Sequence, residues 1–136
     1  MTAPTPYLFF PGSAREALTF YGRVFGGAVR LHTLAEFGRT DGPPDAIAHG
    51  YLEDGPVALY AADAVGEGAA PLRLEGMFVA LLGAASPPTL RAWFAALSEG
   101  GRVVDDLQVR PWGATDGQVV DRYGVPWLIG FEGDED

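Results

Sequence analysis

The sequence contains no cysteine and no lysine, and both absences exclude whole classes of chemistry. Without cysteine there can be no disulfide, no thiolate nucleophile and no cysteine metal ligand. Without lysine the chain has neither a Schiff-base amine nor the lysine of a phosphate-binding P-loop. Serine is also scarce, and no Gly-x-Ser-x-Gly motif occurs, which argues against a serine hydrolase.

Positive charge and long apolar runs are scarce as well. The 9 basic residues, all arginine, are outnumbered by 18 acidic ones, so the formal net charge is −9. Such a chain is poorly suited to neutralise nucleic-acid phosphates or to bind an anionic membrane. No apolar run approaches the roughly 18 residues of a membrane helix, and the N-terminus does not resemble a secretory signal. We therefore expect a cytoplasmic protein that binds neither nucleic acid nor membrane.

The sequence predicts two helices, each with a start signal and a double glycine at its end. Ser13 and Glu16 have the spacing of a capping box, and Gly26 follows the apolar stripe of the first helix. Ser86 and Gly100 occupy the same places around the second helix. Between these signals, apolar residues recur at helical spacing.

The chain repeats one pattern of elements twice. Short apolar strands begin at Tyr7 and Met77, 70 residues apart, while Ser13 and Ser86 are 73 residues apart. In each copy one strand and one helix are followed by three strands, and Gly113–Gly117 is predicted to be a turn between two of them. The single helix of such a unit covers only one face of its sheet, which leaves the other face for a partner module or a cleft.

This repeat predicts an α+β fold built from two tandem βαβββ modules. We place the modules at about residues 5–63 and 75–131 of one domain, 1–136, joined by a loop over 63–75. Residues 132–136 form an acidic tail, which we interpret as a solvated end.

Three blocks of the sequence resemble the vicinal oxygen chelate superfamily, which contains glyoxalases, bleomycin-resistance proteins and extradiol dioxygenases. The blocks are PYLFFPGSAREALTFYGRVFGG, HGYLEDGPVALYAAD and WGATDGQVVDRYGVPWLIGF, and the most similar branch is the PhnB-like one. The resemblance implies that the two modules curve into a half-barrel around a cleft. It also implies a homodimer that completes the site.

In metal-dependent members of this superfamily, four strands each supply a His, Glu or Gln to a divalent ion. The matching positions in this sequence are Pro6 or Tyr7, Ala58, Met77 and Leu128. None of these is a usual ligand of such an ion. The resemblance therefore implies the cleft without its metal, and we predict no cofactor and no metal site.

Five residues are predicted to line the cleft. His49 alternates with Ile47 and Tyr51 along a predicted strand, so it is a candidate proton acceptor or hydrogen-bond donor. The other four are aromatic side chains that suit a planar or apolar ligand: Phe10, Tyr60, Trp112 and Trp127. Each of the five also has a structural interpretation, as a core or sheet-edge residue.

Two other charged or titratable residues have simpler interpretations. His32 is interpreted as an exposed strand residue, and Arg110 as a solvated surface arginine. Because His32 and His49 are far apart in the sequence, together they are weak evidence for a metal site.

Three functions remain open at this point. The leading one is a protein that binds a small apolar or aromatic molecule in its cleft, because aromatic residues there accompany apolar ones at the ligand positions. The second is a lyase, isomerase or dioxygenase that uses His49 with a non-standard metal or none. The third is a non-catalytic dimer whose cleft is filled by side chains.

Overall fold

Each half of the chain folds as a four-stranded sheet with one helix. The computed structural model describes residues 3–66 and 72–133, which form two compact units, Met1–Leu72 and Arg73–Asp136. The elements of the first unit are β1 (Tyr7–Phe10), α1 (Ala14–Phe25), β2 (Ala28–Thr33), β3 (Ile47–Glu53) and β4 (Leu59–Asp63). Those of the second are β5 (Val79–Leu82), α2 (Pro87–Ser98), β6 (Arg102–Val109), β7 (Ala114–Val120) and β8 (Pro126–Glu132). The predicted α+β fold of two tandem βαβββ modules is confirmed.

The two sheets have the same strand order, which is the structural counterpart of the sequence repeat. The orders are β1-β4-β3-β2 and β5-β8-β7-β6. In each sheet the first strand pairs in parallel with the last one, and the remaining pairs are antiparallel. A duplicated βαβββ unit accounts for both the repeat and the matching topology.

One face of each sheet is buried against its helix, because side chains alternate between the two faces of a strand. In β1, Leu8 and Phe10 are buried, whereas Tyr7 and Phe9 are exposed. The fully buried side chains of the first unit include Phe10, Leu18, Tyr21, Leu52 and Leu59. Those of the second include Leu90, Leu97, Val119, Trp127 and Ile129. Each unit therefore has a core of its own.

The first helix begins at a buried aspartate from another element, and the predicted capping box is wrong. Ser13 precedes α1, but its side chain makes no capping hydrogen bond. Instead, the amide of Ala14 donates to Oδ1 of Asp63 at 2.9 Å, and the amide of Ile47 donates to Oδ2 at 2.8 Å. Asp63 is only 8% exposed. One carboxylate at the end of β4 thus fixes the start of both α1 and β3.

The double glycines after the helices meet two different needs. The first glycine of each pair has a positive φ, +84° at Gly26 and +72° at Gly100, which suits the end of a helix. The second lies against a neighbouring strand. A Cβ on Gly27 would be 2.5 Å from the carbonyl oxygen of Glu53, and a Cβ on Gly101 would overlap with the backbone at the end of β7. The first glycine of each pair is therefore needed to end the helix, and the second is needed for close packing.

The segment predicted as a turn, Gly113–Gly117, is mostly strand. The turn precedes it and is closed by the amide of Gly113, which donates to the carbonyl of Arg110 at 2.9 Å. Gly117 lies inside β7, where a Cβ would be 2.9 Å from the ring of Phe94. Threonine favours strands, whereas aspartate and glycine disfavour them, so the local sequence does not predict a strand here. The strand forms because β7 pairs with β6 on one side and with β8 on the other.

Two predicted features extend beyond the described residues. The predicted loop 63–75 includes residues 67–71, and the predicted tail includes residues 134–136, neither of which is described. The two helices contain 12 residues each. Among the described residues, no helix has both the length and the apolar character needed to cross a membrane.

Candidate functional site

The face of the first sheet that α1 leaves uncovered carries two rows of mostly aromatic side chains, which we call the aromatic face. The first row crosses all four strands and consists of Arg30, Tyr51, Tyr60 and Tyr7. The second row contains His32, His49, Ala62 and Phe9. His32 and His49, which are distant in sequence, lie directly opposite each other on β2 and β3. The strand register therefore gathers aromatic rings from all four strands.

His49 lies at the centre of the aromatic face. Its ring centroid is 5.5 Å from those of Tyr7 and Tyr51, and 5.6 Å from that of Tyr60. Tyr7 also stacks on Phe9, with the centroids 5.0 Å apart. Centroid separations of about 4.5–7 Å are favourable for aromatic pairs. The rings thus hold one another in place and present a preformed surface.

Tyr7 and His49 share a hydrogen bond of 2.9 Å between the phenol oxygen and Nδ1. Although the side chain is 41% exposed, partial burial raises the pKa of Tyr7 above its ordinary value, and the positive charge of Arg39 offsets part of this rise. Tyr7 therefore keeps its proton at neutral pH and can donate it to Nδ1. When Nδ1 accepts this bond, the proton of a neutral imidazole is on Nε2, which becomes a donor for a ligand.

Removing the Tyr7 hydroxyl should make the fold less sensitive to alkali. Because the pKa of Tyr7 is raised in the folded state, its contribution to stability is present below the ordinary value of 10.0 and is lost as the pH rises through the folded pKa. A Tyr7→Phe variant lacks this contribution. Its free energy of unfolding, measured by denaturant titration from neutral to alkaline pH, should fall less steeply than that of the wild type. Parallel profiles would contradict this expectation.

A cavity of about 630 Å³ opens on the aromatic face. The rings that line it belong to His32, Phe37, His49, Tyr51 and Tyr60. Phe37 comes from the β2–β3 loop and stacks on His32, with centroids 5.6 Å apart, although its side chain is 53% exposed. Cavities of roughly 300–1,000 Å³ with mainly apolar walls are typical of small-molecule sites.

Charged side chains line this cavity or contact residues that line it. At the β3–β4 turn, Arg30 Nε donates to Glu53 Oε1 at 3.1 Å, and this hydrogen bond raises the pKa of Arg30. Asp54 follows Glu53 in the same turn, with a φ of +61°. Nδ1 of His32, which also lines the cavity, is 3.4 Å from Oε2 of Glu36.

Two of the five predicted cleft residues, His49 and Tyr60, lie together on the aromatic face. Phe10 does not, because it is fully buried on the helix side of β1, one position from the exposed Phe9. Sequence reasoning did not include Phe9 or assign Tyr7 to the ligand site. The alternation of β1 places Tyr7 and Phe9 on one face and Leu8 and Phe10 on the other, but the run YLFF is apolar or aromatic throughout and does not indicate which of these faces is buried.

Ile47 does not share the face of His49, contrary to the predicted alternation. The ladder between β2 and β3 pairs Thr33 with Ile47 and His32 with His49, so Ala48 is an extra residue of a β-bulge. Ile47 is 1% exposed and borders a different cavity beside α1. The bulge thus directs Ile47 into the core while His49 remains on the aromatic face.

The two tryptophans predicted for the cleft belong to the second unit. Trp127 is fully buried in its core, where Nε1 donates to Oδ2 of Asp121 at 2.9 Å. Trp112 is 73% exposed in the β6–β7 turn, as expected for a loop residue, and borders a cavity of about 290 Å³ with Leu82 and Phe131. Of the two rings, only that of Trp112 is accessible within its unit.

Arg110 is not the solvated arginine that the sequence suggests. Its Nη2 donates to Asp105 Oδ2 at 2.7 Å and its Nε donates to Asp116 Oδ1 at 2.8 Å. The side chain is only 17% exposed. Two carboxylates of the β6–β7 hairpin thus neutralise this guanidinium, which leaves it poorly suited to bind an anionic ligand.

The residues at the family's metal positions do not fit a divalent ion. The Tyr7 hydroxyl is engaged by His49, Ala58 and Leu128 offer no donor atom, and Met77 offers only a soft thioether. Within residues 3–66 and 72–133, no group of three or more His, Asp or Glu side chains is arranged to hold a metal. No step of a reaction can therefore be routed through the usual metal of the family.

Comparison with known proteins gives matches over nearly the whole chain. The family description "Glyoxalase/Bleomycin resistance protein/Dioxygenase superfamily" matches residues 5–129. The structure of PA1353 from Pseudomonas aeruginosa is 33% identical, with a TM-score of 0.76 over 98% of this chain and 100% of that one. The PhnB protein from Bacillus cereus is 18% identical, with a TM-score of 0.73 and the same coverage. Protein YjdN from Escherichia coli is 26% identical over an alignment of 140 positions, gaps included, which covers 92% of each chain.

Proposed function

Because the chain belongs to the Glyoxalase/Bleomycin resistance protein/Dioxygenase superfamily, we propose that its aromatic face binds a small planar molecule without the usual family metal. The observation that carries this proposal is the cavity of about 630 Å³ lined by five aromatic or imidazole rings. Sequestration of a toxic compound, as in bleomycin-resistance relatives, is one form that such binding would take.

The aromatic face has the physical properties that such a ligand requires. A planar ring stacked on Tyr51 or on Tyr60 removes apolar surface of both the ligand and that tyrosine from water. The tyrosines already contact each other and His49, so little side-chain entropy is lost on binding. The Nε2 of His49 and the tyrosine hydroxyls can then orient polar atoms of the ligand.

Removing one ring from this surface should weaken binding, and acridine is a suitable planar probe. In mildly alkaline buffer, where acridine is uncharged, its fluorescence reports the affinity directly. We expect Tyr60→Ala to weaken binding about tenfold, the value of one lost stacking partner. Tyr60→Phe keeps the ring, so its affinity for acridine should stay within about twofold of that of the wild type.

The controls for this titration are the melting temperatures of both variants, which show that they are folded. Failure of the wild type to bind acridine or any related planar compound would contradict the proposed function. So would equal affinities of the wild type and Tyr60→Ala.

A catalytic function is the second candidate, and the Tyr7–His49 hydrogen bond favours it. This bond fixes the orientation of the imidazole on the wall of the cavity, an arrangement that suits proton transfer to or from a bound molecule. Turnover of an α-ketoaldehyde–thiol adduct or a catechol by the wild type, and its loss in His49→Gln, would support catalysis. Divalent metal that copurifies stoichiometrically and is lost in His49→Ala would overturn the metal-free proposal.

Three further features of the proposal come from the sequence, the first and the third of them from the family resemblance. We propose a homodimer, a cytoplasmic location and a contribution of Trp112 to ligand binding. An open cavity of this volume favours binding over the alternative of a cleft filled by side chains. Acridine titration of Trp112→Ala tests the third feature, because a change in affinity would show that this ring contacts the ligand.

A further inference from the structure

We propose that the ligand of the aromatic face is a flat aromatic cation, whose charge is recognised at the β3–β4 turn. This proposal rests on the proposed function and specifies the chemical class of its ligand. Its starting point is that, among the residues that the structure describes, the carboxylates lining the cavity belong to Glu53 and Asp54 and no arginine lines it. A site with that lining favours positive charge.

The arginine closest to these carboxylates does not cancel their charge. Arg30 is hydrogen-bonded to Glu53 at 3.1 Å, and the negative charge of Asp54 also acts on its guanidinium. One positive charge is therefore shared between two carboxylates, and about one negative charge remains at this end of the cavity. Asp54 is the acid that a bound cation would neutralise.

The rings next to this turn attract cations as well. Tyr51 and Tyr60 lie beside the turn in the first row, with centroids 6.3 Å apart and an interplanar angle of 75°. The electron-rich face of an aromatic ring attracts a cation, and the attraction is stronger where water is displaced. A flat cationic ring can stack on one tyrosine while its charge is near Asp54.

The charge of the chain adds a long-range contribution of the same sign. The net charge of −9 attracts cations and repels anions over the distance of a Debye length. An aromatic anion would meet this repulsion and also that of the two carboxylates at the turn. A neutral ring would gain stacking alone.

The test uses three acridines that differ mainly in charge: N-methylacridinium, acridine and acridine carboxylate. In mildly alkaline buffer, fluorescence titration of the wild type should give about tenfold tighter binding of the cation than of acridine, with the carboxylate weakest. In Asp54→Asn the preference for the cation over acridine should shrink to about twofold, because the affinity for the cation falls more than the affinity for acridine. Asparagine suits this position because it tolerates a positive φ.

Asp106→Asn is the matched control, because it removes the same charge from an exposed position of the second unit. If none of the three probes binds, the proposed function fails. If acridine binds as tightly as the cation, or the carboxylate binds more tightly, the proposed function stands and the cation proposal is overturned. An equal loss of preference in Asp106→Asn and Asp54→Asn would also overturn it, since the effect would then come from net charge alone.

Discussion

Replacing Asp63 with alanine is expected to lower the free energy of unfolding by about 3 kcal/mol. The side chain is 8% exposed, and its two oxygens accept the amides of Ala14 and Ile47 at 2.9 and 2.8 Å. Alanine removes both acceptors, so two buried N–H groups lose their partners. Such groups cost far more than the loss of an exposed hydrogen bond, because water cannot replace the acceptor.

Denaturant titration followed by circular dichroism measures this loss of unfolding free energy. Two further variants show whether the loss comes from the buried carboxylate. Asp63→Asn keeps one acceptor oxygen but turns an NH₂ group toward the other amide. Its stability should therefore lie between those of the wild type and Asp63→Ala, or below that of Asp63→Ala. Asp45→Ala removes a carboxylate from an exposed position of the same unit and should change the stability by about 0.5 kcal/mol or less. Equal stabilities of Asp63→Ala and Asp45→Ala would show that the buried carboxylate does not fix the helix.

Replacing Gly101 with alanine is the second substitution with a large expected effect, a destabilisation of about 3 kcal/mol. The added Cβ would overlap with the carbonyl oxygen of Val120 and lie 3.0 Å from Cα of Asp121. Both are backbone atoms, one in the last residue of β7 and one in the residue after it, so they cannot move aside as a flexible side chain would. Either the β6–β7 ladder or the end of α2 must shift.

A different glycine separates this clash from the ordinary cost of a left-handed conformation. Gly26 has a φ of +84°, but a Cβ there would meet no atom within 4 Å. We expect Gly26→Ala to cost about 1–2 kcal/mol, which is the penalty of the backbone conformation itself, since a φ of +84° with a ψ of 172° is rarely adopted by a residue with a Cβ. If thermal and denaturant unfolding gave the same loss for both variants, close packing would not be the reason for the second glycine.

The fold could be predicted from the sequence because its signals are local and occur twice. The helix-start signals at Ser13 and Ser86, the glycines that end each helix and the strand at Tyr7 all correspond to observed elements. The capping partner of α1 could not be predicted in this way. Asp63 is 49 residues from Ala14, and nothing in the local pattern connects them.

The candidate site could be predicted only in part, for a related reason. His49 and Tyr60 were identified because they lie in blocks that resemble the family. The partner of His49 is Tyr7, which is 42 residues away in the sequence. The sequence singles out Tyr7 only as a position that matches a metal ligand of the family but is not itself a usual ligand. Whether Phe10 or Phe9 faces the ligand depends on strand phase, which one residue reverses. Short apolar runs such as Tyr7–Phe10 do not specify that phase by composition.

The helix start at Asp63 has a consequence for the order of folding. The amide of Ala14 obtains its partner only after β4 has paired beside β1, because Asp63 is the last residue of β4. In α2, by contrast, the start depends on neighbours in sequence, with Pro87 in the first turn and the Ser86 hydroxyl bonded to that of Thr89 at 3.0 Å. Two copies of one architecture thus differ in when their helices can be completed. The first turns of both helices are closed by local backbone bonds, from Ala17 to Ser13 and from Leu90 to Ser86, but the Ala14 amide of α1 obtains its acceptor only from the last strand of its sheet.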